Sequence, residues 1–75
     1  MGELMFIKVS SNKDTRNEVI EIATVFKGKT VDIAPKSITI EVTGDEDKNN
    51  ALIELMRPYG ILEIVRTGLT SIERG

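Results

Sequence analysis

Three consecutive acids, Asp45, Glu46 and Asp47, are the densest carboxylates in the chain and could hold a hard cation through oxygen ligands. They also fall where a helix would begin, and the positive end of a helix dipole favours acids in its first turn without any ion. The helix start is the reading taken. Ser10, Ser11, Ser37 and Ser71 supply hydroxyls, but the chain has no His and no Cys, so the usual base that would activate a serine is missing. The same two absences remove the imidazole and thiolate ligands that zinc, copper and nickel sites use. Glycines stand singly at turns and caps rather than in a phosphate-cradling loop. Lys13 and Arg16 could attract an anion, although charges around a first helical turn are ordinarily solvated. These residue types point away from catalysis, and no cofactor is expected.

With 75 residues, 40% apolar and 29% charged, the chain makes one globular domain over residues 1–75. A domain this short buries only about 60% of its unfolded surface, so its stability margin is small. The formal net charge is −2, with acids and bases interspersed, and the only aromatics are Phe6, Phe26 and Tyr59. Neither an electrostatic footprint nor a stacking platform for nucleic acid is present. The longest apolar run, Leu4 to Ile7, is far shorter than the ~20 residues of a membrane span. Met1-Gly2-Glu3 has neither the basic start nor the long apolar core of a signal peptide, so a cytoplasmic setting is expected. A strand that starts almost at once after Met1-Gly2 suggests a domain boundary there.

The elements can be read from periodicity. Residues 4–9 alternate Met5, Ile7 and Val9 with Leu4, Phe6 and Lys8, the pattern of a central strand. Thr15-Arg16-Asn17-Glu18 fits a capping box, followed by a helical stripe of Val19, Ile22, Ala23 and Phe26 that Lys27-Gly28 closes. Val31 and Ile33, then Ile38, Ile40 and Val42, alternate as a hairpin around Ala34-Pro35-Lys36. Its turn lacks the Asn-Gly signature, which predicts a loop slightly longer than two residues. Thr43-Gly44-Asp45-Glu46 offers a second capping box before a helix with the stripe Ala51, Leu52, Leu55 and Met56, and with Ile53 at its margin. Pro58 stops that helix, Gly60 permits the turn, and Ile61, Leu62, Ile64 and Val65 begin a last strand. Another extended segment is expected around Leu69 to Ile72.

The order strand, helix, strand, strand, helix, strand is the ferredoxin-like (ACT-like) α+β plan, βαββαβ, with a four-stranded antiparallel sheet of order 4-1-3-2 and two helices on one face. Met5, Ile7, Val9, Ile38, Ile40 and Val42 then face the helices. Leu4, Phe6, Lys8, Thr39 and Glu41, together with residues of the last strand, fall on the uncovered side, where an apolar patch marks a partner surface.

Several segments also resemble a known family. Glu3-Leu4-Met5-Phe6-Ile7-Lys8-Val9, Val31-Asp32-Ile33-Ala34-Pro35-Lys36-Ser37, Thr43-Gly44-Asp45-Glu46-Asp47-Lys48, Leu55-Met56-Arg57-Pro58-Tyr59-Gly60-Ile61 and Val65-Arg66-Thr67-Gly68 are similar to the C-terminal domain of the acetolactate (acetohydroxyacid) synthase small subunit. The resemblance implies a non-catalytic regulatory domain that joins the thiamine-diphosphate-dependent catalytic large subunit and raises its activity in branched-chain amino acid biosynthesis. The leading reading is that it assembles through its open sheet, as a homodimer and with that subunit. That family's valine site lies in an N-terminal ACT domain, so no effector amino acid is expected here. Leu4, Phe6, Tyr59 and Arg66 are the candidate partner contacts, because interface hot spots favour aromatics and Arg. Asn49 stands where an apolar residue is expected, which suggests looser packing at the start of the second helix.

Two other readings compete. One is a stand-alone ACT-like amino acid sensor, although residues 10–16 contain no glycine to bring backbone amides to a carboxylate. The other is a small acylphosphatase-type hydrolase with Arg16 holding the anion and Asn49 placing water.

Overall fold

Alternating apolar side chains near the N-terminus form β1 (Glu3–Ser10), which pairs along both of its edges. In a computed structural model that describes residues 2–68, α1 (Arg16–Val25), β2 (Lys29–Ala34), β3 (Ser37–Gly44), α2 (Glu46–Met56), a 3-10 turn over Arg57–Tyr59, and β4 (Ile61–Gly68) follow. The segment anticipated around Leu69 to Ile72 lies outside the described residues. The strands form one antiparallel sheet in the order β2, β3, β1, β4, which is the ferredoxin-like plan.

Register follows from burial. Met5 stands opposite Val42, Ile7 opposite Ile40 and Val9 opposite Ile38, so three apolar pairs share one face, and none of the six exceeds 1% exposure. Val19 and Ala23 of α1 pack on that face with Leu52, Ile53 and Met56 of α2. On α2 the buried stripe is Asn49, Leu52, Ile53 and Met56, while Ala51 and Leu55 are exposed. The stripe is therefore rotated from the one read by hydropathy, because Asn49 occupies a core-facing position at i, i+3, i+4, i+7 spacing. Asn49 is fully buried, and the start of α2 is pinned rather than loose.

Three local devices differ from the sequence reading. The β2–β3 connection is a two-residue turn, since Ala34 pairs with Ser37 around Pro35 and Lys36. Among the described residues only Lys27 and Gly60 have positive φ, so this turn is not the mirror-image type that needs Asn-Gly. Proline instead pre-sets φ for an ordinary turn, and a bulge at Val31 adds twist to the hairpin. Neither capping box forms. Thr15 makes no side-chain cap; its Oγ1 accepts from the Asn12 N–H at 3.1 Å, and Asn12 Oδ1 accepts from the N–H groups of Asp14 and Thr15. Asp45, not Thr43, caps α2 by accepting from the Lys48 N–H at 2.8 Å. Gly60 does take the turn geometry assigned to it, at φ 105°.

The end of α1 shows which residue carries strain and which carries packing. Lys27 N–H donates to Thr24 O and Gly28 N–H to Ala23 O, a Schellman closure with Lys27, at φ 60°, in the left-handed position usually given to glycine. Gly28 is needed for space, since a Cβ there would lie 2.8 Å from Ile40 Cγ2 and 3.1 Å from Ala23 O. Lys27→Gly is therefore expected to stabilise the domain by about 0.5–1 kcal/mol. Gly28→Ala is expected to destabilise it by about 1–3 kcal/mol through overpacking. Urea unfolding of the two variants checks this assignment, and a neutral Gly28→Ala would contradict it.

Candidate functional site

Strand alternation sends Leu4, Phe6 and Lys8 to the side of the sheet away from the helix-packed core. Opposite Phe6 stand Glu41 on β3 and Val65 on β4, and opposite Lys8 stand Thr39 and Glu63. Phe6, Lys8, Thr39, Glu63 and Val65 line a shallow groove of about 110 Å³. Leu4 lies one step along, its carbonyl accepting from Thr67 Oγ1 at 3.3 Å. Leu4 and Phe6 are half-buried by their own sheet neighbours. The result is an apolar strip with Lys8, Glu41 and Glu63 beside it, suited to binding a surface rather than to bond-making chemistry.

Tyr59 and Arg66 lie on the other side of the sheet, at opposite ends of it. Tyr59 packs against the core just before β4, and its hydroxyl donates to Glu18 Oε1 at 2.7 Å. The adjoining carboxylate raises the phenol's pKa above its ordinary value. Arg66, opposite Met5 near the end of β4, donates from Nε to Glu3 Oε1 at 2.9 Å, from Nη2 to the same oxygen, and from Nη1 to Asn50 Oδ1 at 2.7 Å. Asn49 Nδ2 donates to Glu3 O at 3.2 Å, to Glu3 Oε1 at 3.1 Å and to Gly44 O at 3.4 Å, while its Oδ1 is buried without a hydrogen-bond partner. Hydrogen bonds from Arg66 first, and then from Asn49, hold the Glu3 carboxyl below the usual carboxylate range against partial desolvation. This clamp ties the start of β1 to the end of β4 and the first turns of α2.

Leu4 and Phe6 are thus brought together, whereas Tyr59 and Arg66 serve contacts inside the domain. Val65 and Glu63 were not singled out by sequence reasoning. Their place beside Phe6 and Lys8 depends on a bulge at Leu62 that shifts the β4 register, which alternation alone does not reveal. The hydrolase pairing fails on geometry. Arg16 begins α1, beyond one end of β1, while Asn49 is bound to Glu3 at the other, and the eight residues between span about 25 Å of strand. Among the described residues no three acidic side chains are placed to hold a metal ion, and Asp45 is engaged as the α2 cap. No helix of the described residues is long and apolar enough to cross a membrane.

Comparison with known proteins agrees along nearly the whole length. Residues 2–75 match the family described as the small subunit of acetolactate synthase. The chain is 52% identical over 73 residues to the acetolactate synthase small subunit of Aquifex aeolicus, covering 96% of this chain and 38% of that protein. It is 49% identical over 73 residues to the Bacillus subtilis acetolactate synthase small subunit, covering 97% and 42%. The crystal structure of the acetolactate synthase small subunit from Thermotoga maritima superposes with a TM-score of 0.80 at 34% identity, covering 89% of this chain and 41% of that one. The chain therefore spans about two fifths of the length of these relatives.

The clamp around Glu3 predicts how stability depends on acidity. Because the folded carboxyl titrates below its ordinary value near 4.5, its contribution is fully present above that pH and is lost as pH falls further through the folded value. Glu3→Gln should melt below the parent chain at pH 7, with the difference in Tm shrinking as the pH is taken down below 4.5 and through the folded value. A difference unchanged across that range would assign the effect to packing instead of charge.

Proposed function

The chain belongs to the acetolactate synthase small-subunit family, and from that membership we propose that it is a C-terminal docking domain of the regulatory subunit, without an active site of its own. Its partner is the thiamine-diphosphate-dependent catalytic large subunit, which it helps to assemble and activate in branched-chain amino acid biosynthesis in the cytoplasm. The domain acts as a homodimer, and the effector amino acid is bound outside it.

The observation that carries this reading is the strip of Leu4, Phe6 and Val65 on the helix-free side of the sheet. Apolar side chains with charged neighbours are the usual make-up of an interface centre and its rim. Arg66 and Tyr59 are already engaged with Glu3 and Glu18, so we assign them to holding β4 and α1 in place. Docking falls to Leu4 and Phe6.

Phe6→Asp is expected to weaken binding to the catalytic subunit by roughly 30-fold, the loss typical of an aromatic hot spot, while leaving the far-UV circular dichroism unchanged. Titration calorimetry of the variant and the parent chain gives the ratio. Equal affinities would place docking on another surface. Valine supplies the second check: an effector at a hundred times its Kd would stabilise the domain by about 2.7 kcal/mol, raising Tm by roughly 10 °C or more. No shift is expected, and a shift of that size would favour the amino acid sensor.

A further inference from the structure

Among the described residues β4 and β2 are the two outer strands of the sheet, and their ladders are interrupted at different places. β2 interrupts its ladder at Val31, in mid-strand, and a bulge there blunts the edge against further pairing although Val31 and Ile33 are exposed. On β4 the irregularity falls at Leu62, near the start, and residues 63–67 pair regularly with β1. Leu62, Ile64 and Val65 are 57%, 37% and 46% exposed. A regular edge with exposed aliphatic side chains is a template for another strand.

We propose that this edge pairs antiparallel with β4 of a second copy of the chain, about a two-fold axis at Val65. The commitment to a second copy comes from self-complementarity, which an isologous interface requires. Centred on Val65, the regular stretch sets Val65 opposite the second copy's Val65, Ile64 opposite its Arg66 and Glu63 opposite its Thr67. No like charges meet across the seam. Arg66 is already paired with Glu3, so it brings no unmatched charge to the seam. Helices of both copies fall on the same side, which gives one eight-stranded sheet.

The open faces join as well. Phe6 is opposite Val65 within each copy, so a row of Phe6, Val65, Val65 and Phe6 crosses the seam as one apolar band. The inference rests on the docking reading for its homodimer, and it deepens that reading: pairing at the edge leaves the face clear and doubles its width for the catalytic subunit.

Because the chain has no cysteine, single thiols report the geometry directly. Val65→Cys places two symmetry-related Cβ atoms about 4.5–5.5 Å apart, close enough for a disulfide after slight adjustment. On brief oxidation at micromolar concentration it should give covalent dimer about tenfold faster than Ile33→Cys on the β2 edge or Leu4→Cys on the open face. Light scattering of the unaltered 8.3 kDa chain should report twice that mass. A monomer, or fastest crosslinking at Leu4→Cys or Ile33→Cys, overturns the proposal, the former of those two pointing to face-to-face packing. Both readouts omit the catalytic subunit. A dimer that ignores that subunit would therefore sink the docking reading alone, and a monomer that binds it would sink only the edge pairing.

Discussion

Pairing of β1 along both of its edges is the constraint from which the rest of the domain follows. With Met5, Ile7 and Val9 fully buried, a slip of one residue against β3 would turn those side chains out of the core and bring Leu4, Phe6 and Lys8 into it. Lysine inside an apolar layer between sheet and helices would be uncompensated, so the register is fixed by burial rather than by turn chemistry. Once β1 is set, the crossovers place α1 and α2 on the same face, and the other face is left to whatever binds the domain.

Asn49 is the exception inside that core. A fully buried amide with an unpartnered Oδ1 is costly, and leucine at the same position would avoid that cost. What the amide does is satisfy two backbone carbonyls, Glu3 O and Gly44 O, where β1 begins beside the end of β3, and it adds a donor to the Glu3 carboxylate. Both carbonyls lie at the start of α2, where a helix and two strand ends converge. A single side chain there fixes α2 against the sheet at a point the apolar layer no longer reaches.

The fold was legible because period-two and helical spacing are strong signals over eight to eleven residues and the strand order follows from chain connectivity. Local chemistry was less so. Thr15 and Glu18 match a capping box as a string, yet Asn12 satisfies the donors of that turn first, and Glu18 is held by Tyr59, 41 residues away in sequence. The α2 stripe was displaced because hydropathy discounts an asparagine whose burial depends on partners in other strands. For the candidate site, Leu4 and Phe6 could be read from alternation in β1. Val65 and Glu63 could not, since a bulge is a property of two strands together and leaves no mark in one of them.

β4 separates two demands that compete in a small domain. Its residues on the helix side, Ile64 and Arg66, hold the strand to the body: Arg66 through Glu3 and Asn50, and Ile64 beside Ile7. Of its residues on the open side, Val65 takes no part in that clamp and lies next to Phe6, while Thr67 adds only a single hydrogen bond to the Leu4 carbonyl. An eight-residue strand at the rim of the sheet can therefore present apolar side chains outward without loosening its anchorage, because consecutive residues point to opposite faces. Had the clamp been built on Val65 and Thr67 instead, every docking contact would have drawn on the same side chains that keep β4 in the sheet, and binding would have competed with folding.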